Sequence, residues 1–334
     1  MFLSPKKEPI RTVNQRSTMQ EDVKANKLKL KMPLFVPIRA NEMQNKVFAV
    51  PQFPFLNFTS FMLEPKTDCK DLQLIALIHS SPYHFERRET IRRTWTNQYY
   101  FFKLGTVKRI FVFGTVDNDI LQKAIATENR IYGDILQGQF IDNYYNLSFN
   151  TMLGLKWIIN RCENIQTVMK VDDDIAIDTF RFLNSTVLSL VNKSGQVLCR
   201  YGRRQILRNT TSKWYIIDSI FKGETHYPSY CEGKLVLMTF DVIPSLYSTA
   251  LKTPYFFVED VYMYGLVINK IKSLTFRQLK LESDMVLSAS TAMACLIKKK
   301  QNCSVYVAGV SSDEEMEELW FFFRQRFMSS HFFS

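Results

Sequence analysis

Three aspartates stand in a row, Asp172, Asp173 and Asp174, after the apolar residues Val168, Met169 and Val171 and before Ile175, Ala176 and Ile177. Adjacent like charges repel, and none tolerates a dry core unpaired, so the triplet demands a cation, a set of donors or water. Alternate residues of an extended segment share a face, which pairs Asp172 with Asp174 and turns Asp173 away. Two carboxylates so placed suit a hard divalent cation that keeps open positions for phosphate oxygens. A solvated turn or a helix cap would account for the same acids without a ligand.

Two further groups could do chemistry. Glu259 and Asp260 are adjacent acids before an apolar run. In a partly dry cleft such a carboxylate can take a proton from an attacking hydroxyl, whereas at a helix start it simply complements the dipole. Arg87, Arg88, Arg92 and Arg93 form a basic cluster. Arg88 and Arg92 lie four apart on one helical face, and guanidinium groups bind phosphate bidentately. A surface helix with salt bridges to Glu86 and Glu89 is the structural alternative. The histidines His79, His84, His226 and His331 show no metal spacing. GxGxxG, P-loop, GxSxG and HExxH patterns are absent, so dinucleotide, P-loop, serine-elbow and zinc-protease chemistries lack their signatures.

The elements that must position these residues follow from hydrophobic patterning. Leu72–Ser80 reads as a short buried strand, Glu86–Trp95 as a helix, Arg109–Thr115 as a second buried strand and residues 118–131 as a helix. Asp134 and Ile135 open a short strand, Asn146–Cys162 reads as an amphipathic helix, and residues 167–175 as a third buried strand ending in the acid triplet. This alternation specifies an α/β domain with a mainly parallel sheet. Such sheets bind ligands beyond the carboxyl ends of their strands, which is where the triplet falls. Further on, Val197–Tyr201 and Lys234–Asp241 read as strands, Tyr227–Gly233 as a turn-rich aromatic loop, Phe256–Ile271 as a loop feeding a helix, and Glu314–Phe327 as an amphipathic helix.

The 334 residues, 46% hydrophobic, suffice for a large core. Residues 1–66 read as a basic tail and linker, and residues 67–330 as the folded domain. The net charge of +11 suits an acidic partner, yet much of it lies in the first forty residues, as a solvated basic tail would have it. Six cysteines, Cys69, Cys162, Cys199, Cys231, Cys295 and Cys303, have no zinc-ligand spacing and allow either three disulfides or six buried thiols. Sequons at Asn57, Asn146, Asn184, Asn192, Asn209 and Asn302 favour the secretory pathway. No apolar run reaches transmembrane length, and the first 31 residues lack the apolar core of a signal peptide.

Taken in order, RRETIRRTW, FVFG, GDILQGQFIDNYYNLSFNT, WIINRC, MKVDDD, YPSYCEG and FFVEDV resemble the motifs of glycosyltransferase family 31, the β-1,3-galactosyltransferase and β-1,3-N-acetylglucosaminyltransferase family. The likeness covers most of residues 70–270. It implies a GT-A type nucleotide-sugar-binding α/β fold, with a mainly parallel central sheet flanked by helices, acting as an inverting, UDP-sugar-dependent hexosyltransferase on a glycan acceptor of a glycoprotein or glycolipid. It assigns Asp174 and Asp172 to Mn²⁺ and Asp260, with Glu259 beside it, to base catalysis. Arg88, Arg92, Trp95, Asp172, Asp173, Tyr230, Glu232 and Gly233 fall on the donor side. Golgi lumenal location and membrane association are implied as well. Lys234 departs from the family, standing where a small residue is common. The glycine of EDVYMYG is displaced by one residue, and after Asp260 the chain offers a metal no histidine but His331. A catalytically inactive sugar- or partner-binding relative is the alternative. Nucleic-acid binding rests on charge alone and has no motif behind it.

Overall fold

In the computed structural model residues 61–331 are described, apart from Asp71, Glu163, Asn164 and Lys213. Residues 1–60 of the expected tail, with the Asn57 sequon, lie outside the described residues. Residues 61–66, which the sequence assigns to the linker, belong to the domain. The Met62 amide donates to the Gln137 carbonyl at 2.8 Å, and Glu64 accepts from Trp157 Nε1 at 3.1 Å.

The first half of the domain alternates strand and helix. It contains β1 (Leu74–His79), α1 (Phe85–Arg93), β2 (Val107–Thr115), α2 (Asp119–Tyr132), β3 (Ile135–Ile141), α3 (Leu147–Arg161) and β4 (Thr167–Asp172). Every residue of β1 is buried, as a strand covered on both faces requires. The Asn118 side chain caps α2 by accepting from the Leu121 amide, and Gly133 ends it in the left-handed conformation at φ 63°. Helix α3 is buried on nearly all sides, from Ser148 through Leu155 and again at Trp157 and Ile158, so the expected helix is present but its amphipathic reading is corrected. A Cβ at its Gly154 would lie 2.7 Å from Leu77 Cδ1, so this glycine lets α3 settle directly on β1.

The acid triplet does not extend a single strand. Strand β4 stops at Asp172, Asp173 and Asp174 turn, and β5 (Ile175–Ile177) starts a second sheet. There follow α4 (Thr179–Arg181), β6 (Gln196–Gly202), β7 (Tyr230–Thr239), α5 (Val242–Ala250), α6 (Glu259–Val261), β8 (Thr275–Gln278), β9 (Met285–Val286), α7 (Ala289–Lys299), β10 (Val307–Gly309) and α8 (Asp313–His331). The stretch Tyr230–Gly233, expected as loop, is the start of β7, because Tyr230 and Cys231 pair with Gly202 and Tyr201 of β6 and the strand continues through a bulge to its pairing with β4.

The large sheet has the order β3-β2-β1-β4-β7-β6-β8, with β7 alone running against its neighbours. The small sheet is β5-β10-β9. Alternation along β1 divides the core: Ile75 and Leu77 face the layer of α3 and Trp157, while Leu74, Ala76 and Ile78 face the layer containing Phe111, Trp320 and Phe323. Helix α8 closes that second layer by stacking Trp320 on Phe180, with centroids 5.3 Å apart. All six cysteines are paired, Cys69–Cys162, Cys199–Cys231 and Cys295–Cys303, which settles the choice between disulfides and thiols.

The arginines of α1 are structural. Arg88 forms a bidentate pair with Glu128 (2.9 and 2.6 Å), and Arg92 bridges Glu128 at 2.7 Å and Asp134 at 2.8 and 2.9 Å. Arg109 joins Asp134 from β2 at 2.8 Å. The partners come from α2 and the start of β3, not from Glu86, although Arg92 also reaches Glu89 at 3.5 Å. Arg93 pairs with Glu317 and Arg87 with Asp313, which fastens α1 to α8. Breaking one partner of a buried ion network strands its charges, at a cost of roughly 3–5 kcal/mol. Arg92→Leu is expected to lose about that much in urea unfolding; a loss below about 1 kcal/mol would show that the network is not holding the fold.

Candidate active site

The register brings the candidate residues to one edge of the large sheet. His79 at the end of β1 sits opposite Asp172 at the end of β4, and Val171 opposite Leu235 of β7. Because β7 runs the other way, its first residues lie at the edge where β1 and β4 finish. Between the pairs Cys199–Val236 and Tyr201–Cys231, strand β6 places Arg200 alone while β7 places Glu232, Gly233, Lys234 and Leu235. This bulge re-aims those side chains, as bulges beside active sites do. The Cys199–Cys231 disulfide and the Tyr201–Phe276 stack, centroids 4.4 Å apart, hold its flanks.

Lys170 is the residue that ties the edge together. It is 3% exposed, in a strand where Val168, Met169 and Val171 beside it are apolar. Its Nζ donates to Asp172 Oδ1 at 2.6 Å and to the Gly233 carbonyl at 2.7 Å, and stands 3.4 Å from Glu259 Oε2. Burial alone would lower the ammonium, but Asp172, Glu259 and Asp260 together hold it well above the ordinary lysine value. Glu259 is buried and also accepts from Thr151 Oγ1 at 2.6 Å, while Thr151 Oγ1 lies 3.3 Å from His79 Nε2. Burial pushes the Glu259 carboxyl well up against the pull of Lys170, and Asp260, hydrogen-bonded to it, adds to the rise. Glu259 is thus driven by burial toward its protonated form. It backs Asp260 from inside the protein and does not reach the open side, so its expected place among the reacting groups is corrected to a positioning one.

Asp260 is half-buried and lies directly over β7. A Cβ on Gly233 would come within 1.9 Å of Asp260 Oδ1 and 3.0 Å of Glu259 Oε2, so only glycine leaves room for the pair. After Asp260 the helix passes into a π-helical turn, Tyr262–Val267, whose Gly265 packs on Tyr230, where a Cβ would meet Tyr230 Cβ at 2.9 Å. Burial and the Asp260 charge raise the phenols of Tyr230 and Tyr144, which marks both as neighbours of that carboxylate.

The three aspartates are not equivalent. Asp172 is committed to Lys170; burial raises its carboxyl, Lys170 opposes and Asp260 adds to the rise. Asp173 turns back into the fold, accepting from Ser80 Oγ at 2.7 Å with His84 Nδ1 at 2.8 Å. That contact raises the His84 imidazole despite its partial burial. Asp174 has Oδ1 buried without a partner, and Oδ2 lies 3.6 Å from Lys234 Nζ. Glu232 spends both oxygens on Arg200 at 2.8 Å and Arg204 at 2.6 Å.

The structure therefore groups Asp172, Asp174, Tyr230, Gly233, Lys234 and Asp260, and separates Arg88, Arg92 and Trp95 from them. The two guanidinium groups are consumed by carboxylates, and Trp95 is buried in the core, so their expected contact with a diphosphate is corrected. Arg88 does reach the edge indirectly, donating to the Ser81 carbonyl at 2.6 Å and so fixing the loop after β1. The His331 side chain lies outside the described residues. Lys170, Thr151 and His79 were missed by sequence reasoning. A charged residue inside an apolar strand two positions before the acids was the available signal for Lys170; Thr151 and His79 had none.

Among the described residues no group of three or more His, Cys, Asp and Glu side chains could hold a metal. The orphaned Asp174 Oδ1, with Asp172 nearby, nevertheless fits a hard divalent cation that draws its remaining ligands from water and phosphate. Removing the Lys170 charge would leave Asp172 and Glu259 facing one another with no cation between them. Lys170→Met is expected to cost roughly 3–5 kcal/mol in chemical denaturation, and a cost below about 1 kcal/mol would contradict this role.

Known proteins resemble this chain in sequence. The family profile described as Galactosyltransferase matches residues 86–275. β-1,3-Galactosyltransferase 1 of Mus musculus is 29% identical over 221 residues, 64% of this chain and 66% of that protein. β-1,3-Galactosyltransferase 2 of Homo sapiens is 32% identical over 224 residues, 65% of this chain and 52% of that protein. The chain thus spans less than two thirds of the length of these relatives. Among solved structures, the galactosyltransferase LgtC in complex with donor and acceptor sugar analogs superposes with a TM-score of 0.36 at 9% identity, covering 74% of this chain and 95% of that one. The profile match spans more than half of the chain and runs from α1 to β8, through the acid triplet, the β7 bulge and Asp260: the chain belongs to the galactosyltransferase family, as its motifs imply.

Proposed function

We propose that the protein is an inverting hexosyltransferase that moves galactose or N-acetylglucosamine from a UDP-sugar to a hydroxyl of a glycan acceptor, on a glycoprotein or glycolipid, forming a β-1,3 linkage. One observation carries the reading: the Asp260 carboxylate lies over Gly233, at the same sheet edge as Asp172 and Asp174. A base and a diphosphate-holding pair are thereby set side by side, as a single displacement needs.

The acceptor hydroxyl gives its proton to Asp260 as its oxygen forms a bond to the anomeric carbon. The bond from that carbon to the diphosphate oxygen breaks on the opposite face, and its electron pair leaves with UDP. Configuration inverts, and no covalent nucleophile is called for. Asp172 and Asp174 would hold the divalent cation, manganese in the reading from the motifs, which when bound neutralises charge gathering on the departing diphosphate. Lys170 holds Asp172 and the Gly233 carbonyl in fixed relation, and Glu259 keeps Asp260 aimed outward. Tyr230 and Gly233 border the donor sugar, and Glu232 acts on that border through its arginine clamp. Asp173 serves the donor side indirectly by fixing the turn that carries Asp174.

The GT-A arrangement and a Golgi lumenal setting belong to the same proposal. Three disulfides support an oxidising compartment. Among the described residues no helix is long and apolar enough to cross a membrane. An inactive sugar-binding relative is the second reading, and the engagement of Asp174 by Lys234 favours it.

Turnover separates the two. UDP release from UDP-galactose or UDP-N-acetylglucosamine with Mn²⁺ and a glycan acceptor is expected from the wild type. Asp260→Asn should reduce kcat about 10²-fold or more while UDP still binds. Equal release from both proteins would refute the assigned base, and UDP binding without release by the wild type would favour the inactive reading. Gly233→Ala should also bind UDP yet lose most turnover, because its methyl group displaces Asp260; unchanged kcat would contradict the close approach.

A further inference from the structure

Lys234 is the one departure from the family motifs that the structure sets against a proposed ligand group. It leaves the β7 bulge beside the end of β4, and its Nζ stands 3.6 Å from Asp174 Oδ2. The two side chains are 38% and 50% exposed, so water screens the pair and it adds little to stability. The other described cations close by have fixed work inside the protein. Lys170 is buried among Asp172, Glu259 and the Gly233 carbonyl, and Arg200 and Arg204 are locked on Glu232. The Lys234 ammonium ends a flexible stem, carries three donors, and faces an acid whose other oxygen is buried and unpaired.

We propose that Lys234 is a built-in counter-cation for the nucleotide diphosphate. The inference rests on the UDP-sugar reading above. With no ligand bound the ammonium neutralises Asp174; with UDP bound it turns to a phosphate oxygen, which lysine binds as a point charge. Two consequences follow from the one distance. A divalent cation binding at Asp174 meets the ammonium charge beside it, so Lys234 weakens metal binding in the absence of nucleotide. The diphosphate also retains a protein cation when no metal is present, so part of its affinity does not depend on metal.

Two binding measurements, neither needing turnover, test this with Lys234→Met, which keeps the stem and removes the charge, and Lys234→Arg, which keeps the charge. With Mn²⁺ alone, followed by electron paramagnetic resonance, Lys234→Met should bind about fivefold more tightly than wild type. With UDP in excess EDTA, followed by calorimetry, wild type and Lys234→Arg should bind similarly and Lys234→Met about tenfold more weakly. A Lys234→Met variant matching wild type in either assay overturns the counter-cation. If the wild type binds no UDP even with Mn²⁺, the UDP-sugar reading itself fails, and the counter-cation falls with it. The failing protein, variant or wild type, tells the two failures apart.

Discussion

One buried ammonium organises the candidate site. Lys170 reaches a carboxylate at the end of its own strand, a carbonyl on the neighbouring antiparallel strand, and a carboxylate on the helix behind them. Each partner alone would be costly at this depth: an unpaired buried ammonium, a pair of repelling carboxylates, or a bulged carbonyl without a donor. Together they are mutually satisfied, and the geometry that satisfies them brings β4, β7 and α6 to a common edge. The Asp172 and Asp260 sides of the site therefore cannot drift apart without stranding a buried charge.

Much of the remaining structure keeps that edge in place. The β7 bulge frees Gly233 and Lys234 from the ladder, and the Cys199–Cys231 disulfide pins the bulge where it begins. Gly154 allows α3 to lie close on β1, which carries Thr151 to Glu259 and His79. On the far side, the Arg88–Glu128–Arg92–Asp134 network locks α1 to α2 and β3, and Arg88 fixes the Ser81 carbonyl in the loop over the site. The basic motif that looks made for phosphate thus acts one layer away, on the backbone that borders the ligand edge.

The fold was legible in the sequence where patterning is local. Apolar runs such as Leu74–Ile78 identify buried parallel strands, and helical spacing of apolar residues identifies the helix over residues 118–131. Residues whose role depends on a distant partner were harder to read. Arg88 and Arg92 present the same face whether they meet phosphate or the carboxylates of Glu128 and Asp134, about forty positions away, and periodicity cannot distinguish these. Tyr227–Gly233 looks like loop because Pro228 and Gly233 are turn residues, yet Tyr230–Gly233 alternate half-buried and buried as the start of a strand. The separate fates of Asp172, Asp173 and Asp174 follow from a two-residue period, but the ammonium that holds Asp172 and the Ser80–His84 pair that holds Asp173 become visible only in three dimensions.

The central claim is that one carboxylate, Asp260, drives a single displacement on a donor held at Asp172 and Asp174. The anomeric configuration of the product tests it most directly. Transfer from an α-linked UDP-sugar, followed by proton NMR of the new glycosidic linkage, should yield the β anomer alone. An α-linked product would require a second displacement or front-face attack, and would contradict the role given to Asp260.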